Sequence, residues 1–151
     1  MILLKKVLIA LLIVVVAIQF IQPVRNSNQQ KIASGITKQY TVPSNVEVLL
    51  RTACYDCHSN NTRYPWYANI QPMGWLLANH IKDGKAELNF DEFGSYSKRR
   101  QLSKLKSIAG SVKDGSMPIA SYTSMHRDAK LSTENKALII DWATRTRNNM
   151  K

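Results

Sequence analysis

The sequence predicts an all-α protein. Apolar residues recur at three- and four-residue spacing in four separate segments, most of these segments carry a start or stop signal, and strand-like alternation is nearly absent. The 151 residues divide by composition into an N-terminal signal anchor over 1–24, a polar tether over 25–41 and a folded domain over 42–151. A domain of that size has a limited core of its own.

Val7 to Ile18 is an unbroken apolar run behind Lys5 and Lys6, extended by Phe20 and Ile21, the layout of an export signal. With Ile2, Leu3 and Leu4 added and the two ammonium groups reaching toward headgroups, the stretch is just long enough to cross a hydrocarbon core of about 30 Å. Ala17-Ile18-Gln19-Phe20-Ile21-Gln22 offers no small-x-small pair to a signal peptidase, which favours an uncleaved membrane helix over a cleaved peptide. The two lysines hold the short N-terminal end in the cytoplasm and send the rest outward. Asn26 to Tyr40 is rich in Asn, Gln, Ser and Lys and reads as a tether that buries little.

Ser44 with Glu47 forms a capping box, and Val46, Leu49, Leu50 and Ala53 share one face, so a helix runs from about Asn45 into residues 54–58. A second helix spans Gly74 to Asp83, carries Trp75, Leu76, Leu77 and Ala78, and has Gly84 as its stop. The third, Ser97 to Asp114, shows the stripe Leu102, Leu105, Ile108, Ala109 and Val112 and ends at Gly115. Ser132 or Thr133 caps the fourth, with Ala137, Leu138, Ile140, Trp142 and Ala143.

The formal charge of +11 is concentrated on the third helix, where Lys98, Arg99, Arg100, Lys104, Lys106 and Lys113 face Asp114 alone. Such a face suits an acidic partner protein or an anionic lipid surface, and is equally what a solvated helix face looks like. No phosphate loop, zinc-finger spacing or internal repeat is present, and an exported domain excludes nucleic acid as partner.

Both cysteines of the chain lie in Cys54-Tyr55-Asp56-Cys57-His58, a CxxCH. This is the pattern of c-type haem attachment. Thiols three positions apart each add to one haem vinyl group, and the adjacent imidazole reaches the iron from the proximal side. The reading is one covalent haem c. A disulfide, a redox dithiol and half of a zinc site compete for the same CxxC. A dithiol of the thioredoxin kind wants a strand before the motif, whereas the residues before Cys54 read as helix. Adjacent Cys57 and His58 rarely both reach one tetrahedral ion.

The distal position separates the functions. Protein ligands on both sides of the iron make an electron carrier, and an open side makes a catalyst or gas binder. The candidates are Met73, Met117, Met125, Met150, His80 and His126. Met117 is best placed, because it follows the Gly115 stop and precedes Pro118, which restricts the local backbone. The bland alternative is a methionine filling core space. His80, on the second helix, is the alternative distal ligand, and bis-His ligation would lower the potential. No distal Arg-His pair stands at helical spacing. A non-catalytic electron carrier is therefore favoured over the alternative, a haem-based sensor or peroxidase-like enzyme with a displaceable distal ligand.

The order of capped helix, CxxCH, middle helix, Gly115-Ser116-Met117-Pro118 and a final helix bearing an aromatic resembles class I c-type cytochromes. The resemblance implies a cytochrome c-like domain around one haem, first and last helices packed together, Cys54 and Cys57 as thioether attachments, His58 as proximal ligand and Met117 as distal ligand. The exported portion is similar, more closely, to small bacterial haem-binding domain proteins with an N-terminal anchor. Cys54-Tyr55-Asp56-Cys57-His58-Ser59-Asn60, Tyr64-Pro65-Trp66, Leu88-Asn89-Phe90 and Met117-Pro118 carry it. That likeness adds fold and cofactor rather than a reaction; the N-terminal anchor, with haem attachment that the cytochrome resemblance implies is extracytoplasmic, gives a single-pass protein of the bacterial cytoplasmic membrane with its haem domain in the periplasm, where the electron-carrier reading expects a redox partner protein. Val48, Leu49 and Leu50 stand where a class I chain often has a Gly and an aromatic.

Overall fold

The computed structural model describes residues 2–28 and 34–150. Among them every regular element is helical: α1 Ile2–Ile18, α2 Ile36–Gln39, α3 Ser44–Ala53, α4 Tyr55–His58, α5 Met73–Glu87, α6 Lys98–Asp114, α7 Ala120–Met125 and α8 Thr133–Asn149. Short 3₁₀ turns stand at Trp66–Asn69, Phe90–Ser95 and Arg127–Ala129.

α6 and α8 share the most extensive helix contact, and α8 also packs on α3. Val46, Leu50 and Ala53 of α3, Leu105, Ile108 and Val112 of α6, and Ile139, Trp142 and Ala143 of α8 meet Phe90 and Phe93 in the main apolar cluster. A smaller cluster of Tyr67, Ala68, Leu77 and Ile81 joins the Trp66–Asn69 turn to α5. The CxxCH segment bridges the two. Cys54 and Tyr55 pack against the larger cluster and Cys57 against the smaller.

The stronger local signals form as expected. Ser97 Oγ accepts from the Arg100 amide at 3.3 Å and Ser132 Oγ from the Asn135 amide at 3.2 Å, each satisfying a donor at a helix start. Gly115 ends α6 at φ 78°, a left-handed conformation that strains any residue with a Cβ.

Other expectations are corrected. Ser44 is the first residue of α3 behind Pro43 and makes no capping bond. Glu47 is engaged instead with Arg51 one turn on, at 2.7 Å, so the capping box does not close. Gly84 does not stop its helix: α5 continues to Glu87, and the missing Cβ serves packing rather than a turn. On α8 it is Ile139, fully buried, that enters the core, while Leu138 is 39% exposed. Residues 120–129, between Pro118 and the last helix, hold α7 and a 3₁₀ turn.

The stretch expected to be a tether packs at both of its described ends, and its residues 29–33 lie outside the described residues. Ile36 is fully buried and belongs to the main cluster. Asn26 Nδ2 donates to the Ser59 carbonyl at 3.0 Å and to Thr62 Oγ1 at 2.9 Å. Ile36, with Tyr40 packed against the same cluster, draws this part of the polar run onto the domain. α1 has 17 residues, about 25 Å of helix, and stops at Ile18. Among the described residues no helix is long and apolar enough to cross a membrane, so the expected membrane helix over 1–24 is shorter than a span.

Candidate functional site

Cys54 closes α3 and opens α4, and Cys57 and His58 form the last turn of α4. This short helix is held against α5 at close range. A Cβ on Gly84 would stand 2.8 Å from the Cys57 carbonyl oxygen, so only glycine lets the two backbones approach. The consequence reaches His58. Its Nδ1 lies 2.8 Å from the Gly84 carbonyl oxygen and 3.0 Å from that of Leu88. Carbonyls only accept, so Nδ1 carries the proton and Nε2 presents a lone pair. Burial holds His58 below its ordinary value of 6.5, against the upward pull of the two carbonyls, which favours the neutral imidazole a metal ligand requires.

The residues inside the motif fasten it. Tyr55 stacks on Phe90 with centroids 4.9 Å apart, and Phe90 meets His58 edge-on at 6.3 Å. Asp56 is buried: Oδ1 accepts from the Arg63 amide at 3.1 Å and Nε at 3.2 Å, and Oδ2 from the Tyr122 hydroxyl at 2.7 Å. Burial, and then the Asp56 bond, push the Tyr122 hydroxyl up so that it stays protonated and keeps donating. Asn60 donates its amide to Asp91 Oδ2 and accepts from Asn89 Nδ2, both at 2.8 Å, tying the chain after His58 to Asn89 and the Phe90–Ser95 turn.

Two adjoining cavities of about 200 and 290 Å³ open beside this segment, and Ala53, Cys54, His58, Glu87, Met117 and Pro118 border both. Cys57, His80, Ile119 and Tyr122 are among the further residues of the first, with Asp56 and Asp83 at its polar edge, and Phe90, Ile108 and Val112 among those of the second, with Lys104 at its rim. The structure thus brings Cys54, Cys57, His58, Met117 and His80 to one cavity. Met117 stands where the two meet; His80 borders only the first. The connection from α6 to α7 carries Met117 there, and the Met117 amide returns to the Ser111 carbonyl at 3.1 Å.

The remaining distal candidates lie elsewhere. Met73 and Met125 border a neighbouring cleft of about 50 Å³. His126 shares a hydrogen bond between Nε2 and the Tyr67 hydroxyl at 2.7 Å and stacks on Tyr122 at 4.2 Å. Met150 packs on the main core cluster. Sequence reasoning missed Tyr122 and the packing role of Gly84, and gave no role to Asp56 and Phe90 although both stand in motifs it singled out. Asp56 and Tyr122 are 66 positions apart, and no local pattern announces such a pair.

The competing uses of CxxC fare poorly in this geometry. Both cysteines are free. Burial pushes the Cys54 thiol up to about 12 and the Cys57 thiol to about 11, the reverse of the low values that make a redox dithiol reactive. Among the described residues no group of three or more His, Cys, Asp or Glu is gathered for a metal ion, as zinc would need. What remains is an apolar slot, two thiols at its edge, one imidazole lone pair and one thioether, a donor set that fits a flat apolar macrocycle carrying iron. No curated protein and no solved structure matches the chain. A family model described as haem-binding domain matches residues 13–145, most of the chain's length, and this protein belongs to the haem-binding domain family.

Proposed function

We propose that the protein is a monohaem c-type cytochrome that passes single electrons at the outer face of the cytoplasmic membrane. Cys54 and Cys57 hold the haem covalently, His58 is the proximal ligand and Met117 the distal one. Haem, when bound, supplies the reversible one-electron change, and the chain performs no bond chemistry on a substrate. The observation that carries this reading is the His58 imidazole, its Nδ1 proton given to two backbone carbonyls at a cavity bordered by both thiols and by Met117.

The surroundings support transfer between proteins. α6 contributes Lys104, Ser107, Ile108, Ser111 and Val112 to the wall of the larger cavity, so one basic residue of that helix, Lys104, stands at the haem pocket, and the helix leads from there to Lys98, Arg99 and Arg100, where an acidic partner would dock. The exposed apolar surface of α1, broken only by Lys5 and Lys6 near its start, supports anchoring to the membrane, with the domain in the periplasm where thioether attachment takes place.

A haem stain of denatured protein tests attachment. The wild type retains colour after denaturation and the Cys54→Ala, Cys57→Ala double variant loses it; retention by the double variant would overturn the assignment. A second reading, a sensor or peroxidase-like protein with a displaceable distal ligand, has one observation in its favour: Met117 is 38% exposed and held by its backbone alone. Carbon monoxide added to the reduced protein separates the two, rapid binding favouring the sensor and resistance the carrier.

A further inference from the structure

Residues 19–25, which follow α1, are fastened to the Trp66–Asn69 turn and the first turns of α5. Gln19 Oε1 accepts from the Gln71 amide at 2.9 Å and Gln19 Nε2 donates to the Gln71 carbonyl at 3.2 Å. Trp75 Nε1 donates to the Ile21 carbonyl at 2.8 Å, and Gln22 Nε2 to the Asn69 carbonyl at 3.2 Å. The Arg25 guanidinium bonds Asn69 and lies 4.1 Å over the Tyr64 ring. The apolar α1 therefore leaves the folded body at a fixed place.

The surface around that place is apolar and uncovered. Trp66 is 71% exposed, Ile70 46%, Met73 40% and Leu76 46%, and the chain leading to them exposes Phe20 at 85% and Val24 at 96%. Further along α5 the exposed residues change to Asn79, Lys82 and Asp83, and Lys82 and Lys85 line a cleft with Arg25. One helix thus passes from apolar to charged on its outside as it runs away from the end of α1. A helix in uniform water has no reason for that gradient, whereas one that starts in the headgroup region of a bilayer and leaves it does. The Trp66 and Trp75 indoles stand at the apolar end, the side chain that favours such an interface.

We infer that the Trp66–Asn69 turn and the start of α5 form a lipid-docking surface, seated in the headgroup zone of the membrane that α1 enters, with the exposed Lys82 at its charged edge for anionic headgroups. The inference rests on the membrane reading of α1 and adds where the domain lies on the bilayer. Met73 and Leu76 share the small cleft with His80 and Cys57, so the Cys57 side of the haem pocket is held next to the lipid surface.

The full chain in vesicles of mixed zwitterionic and anionic phospholipid tests this, with a photoreactive benzophenone amino acid in place of Trp66, Ile70, Leu76, Leu11 of α1, or Leu138 of α8. Lipid adducts at 66, 70 and 76 at several times the yield at 138 are expected. Adducts at position 11 alone would keep the anchor and overturn the docking surface. Absence at position 11 as well would overturn the membrane reading and this inference together. Crosslinking of 66, 70 and 76 to protein instead of lipid would assign the surface to a partner and equally overturn the inference. As a second readout, Trp66→Ser with Leu76→Ser should leave the chain vesicle-bound through α1 while the lipid adduct at position 70 falls several-fold.

Discussion

His58 and Met117 border the same cavity but are held in different ways. His58 sits on a helical turn whose neighbours are all engaged: Tyr55 on Phe90, Asp56 on Arg63 and Tyr122, Cys57 against Gly84, and its own Nδ1 on two carbonyls. Met117 sits on a loop anchored by its backbone, its side chain 38% exposed. The difference teaches that one side of the pocket is preorganised by packing and the other by chain connection alone. On the ligation proposed above, a strongly held imidazole with a loosely held thioether would make the Met117 side the adjustable one, where potential and ligand access are set.

Removing the His58 imidazole is the most severe way to break this asymmetry. His58→Ala should abolish the low-spin spectrum while colour survives denaturation, because the thioether bonds do not depend on the imidazole. It also takes the imidazole donor from the Leu88 carbonyl and from the Gly84 carbonyl, which keeps the Leu88 amide, and the haem-free protein should lose about 1–3 kcal/mol in urea unfolding. An unchanged low-spin spectrum would move the proximal role to another residue.

Gly84→Ala attacks the same side without touching a ligand. Helix propensity alone would make alanine better by about 1 kcal/mol. The added Cβ meets the Cys57 carbonyl at 2.8 Å and Cys57 Cβ at 3.1 Å, atoms of a backbone fastened on several sides, so a net destabilisation of about 1–3 kcal/mol is expected. Denaturant midpoints of the haem-free protein check the sign. A gain in stability would mean that α4 and α5 separate freely and that the proximal side is no stiffer than the distal.

On the distal side, Met117→Ala should cost the fold about 1 kcal/mol or less, given its exposure, yet lower the midpoint potential and remove the sulfur-to-iron charge-transfer band of the ferric protein. His80→Ala is its control, and loss of the low-spin spectrum there but not in the Met117 variant would make the distal ligand a histidine.

The smallest effect on structure belongs to α6. Replacing Lys98, Arg99 and Arg100 by Gln should slow electron exchange with an acidic partner and flatten its salt dependence, with stability changed by about 0.5 kcal/mol or less. Arg100, whose guanidinium lies 4.0 Å over the Tyr96 ring, carries most of that structural cost. Rates insensitive to salt in the wild type would return α6 to a solvated face.

How far the sequence could be read depends on the reach of each signal. Ser97, Gly115 and Ser132 act within one turn of their own helices, and all three behave as their positions predict. Ser44 failed because Glu47 had a second partner in Arg51, and Gly84 because a glycine wanted for close approach looks the same in sequence as one wanted for a turn. The tether reading failed on Ile36, one buried side chain in a polar run.

The sequence by itself determined the helical class, the positions of the long helices, and the donor types of the site: two thiols and an imidazole in one pentapeptide, with a thioether beyond a glycine stop. Those are properties of residues close in the chain, where geometry follows from spacing. Only the tertiary structure decided which nitrogen of His58 faces the cavity, because that is set by carbonyls 26 and 30 positions away. It alone brought Met117 and His80 to the thiols, and fastened the residues after α1 to a surface whose apolar side chains come from a turn and a helix more than forty positions further on. Long-range placement of this kind depends on which surfaces pack together, and packing is decided by the whole set of apolar contacts rather than by any segment that can be read alone.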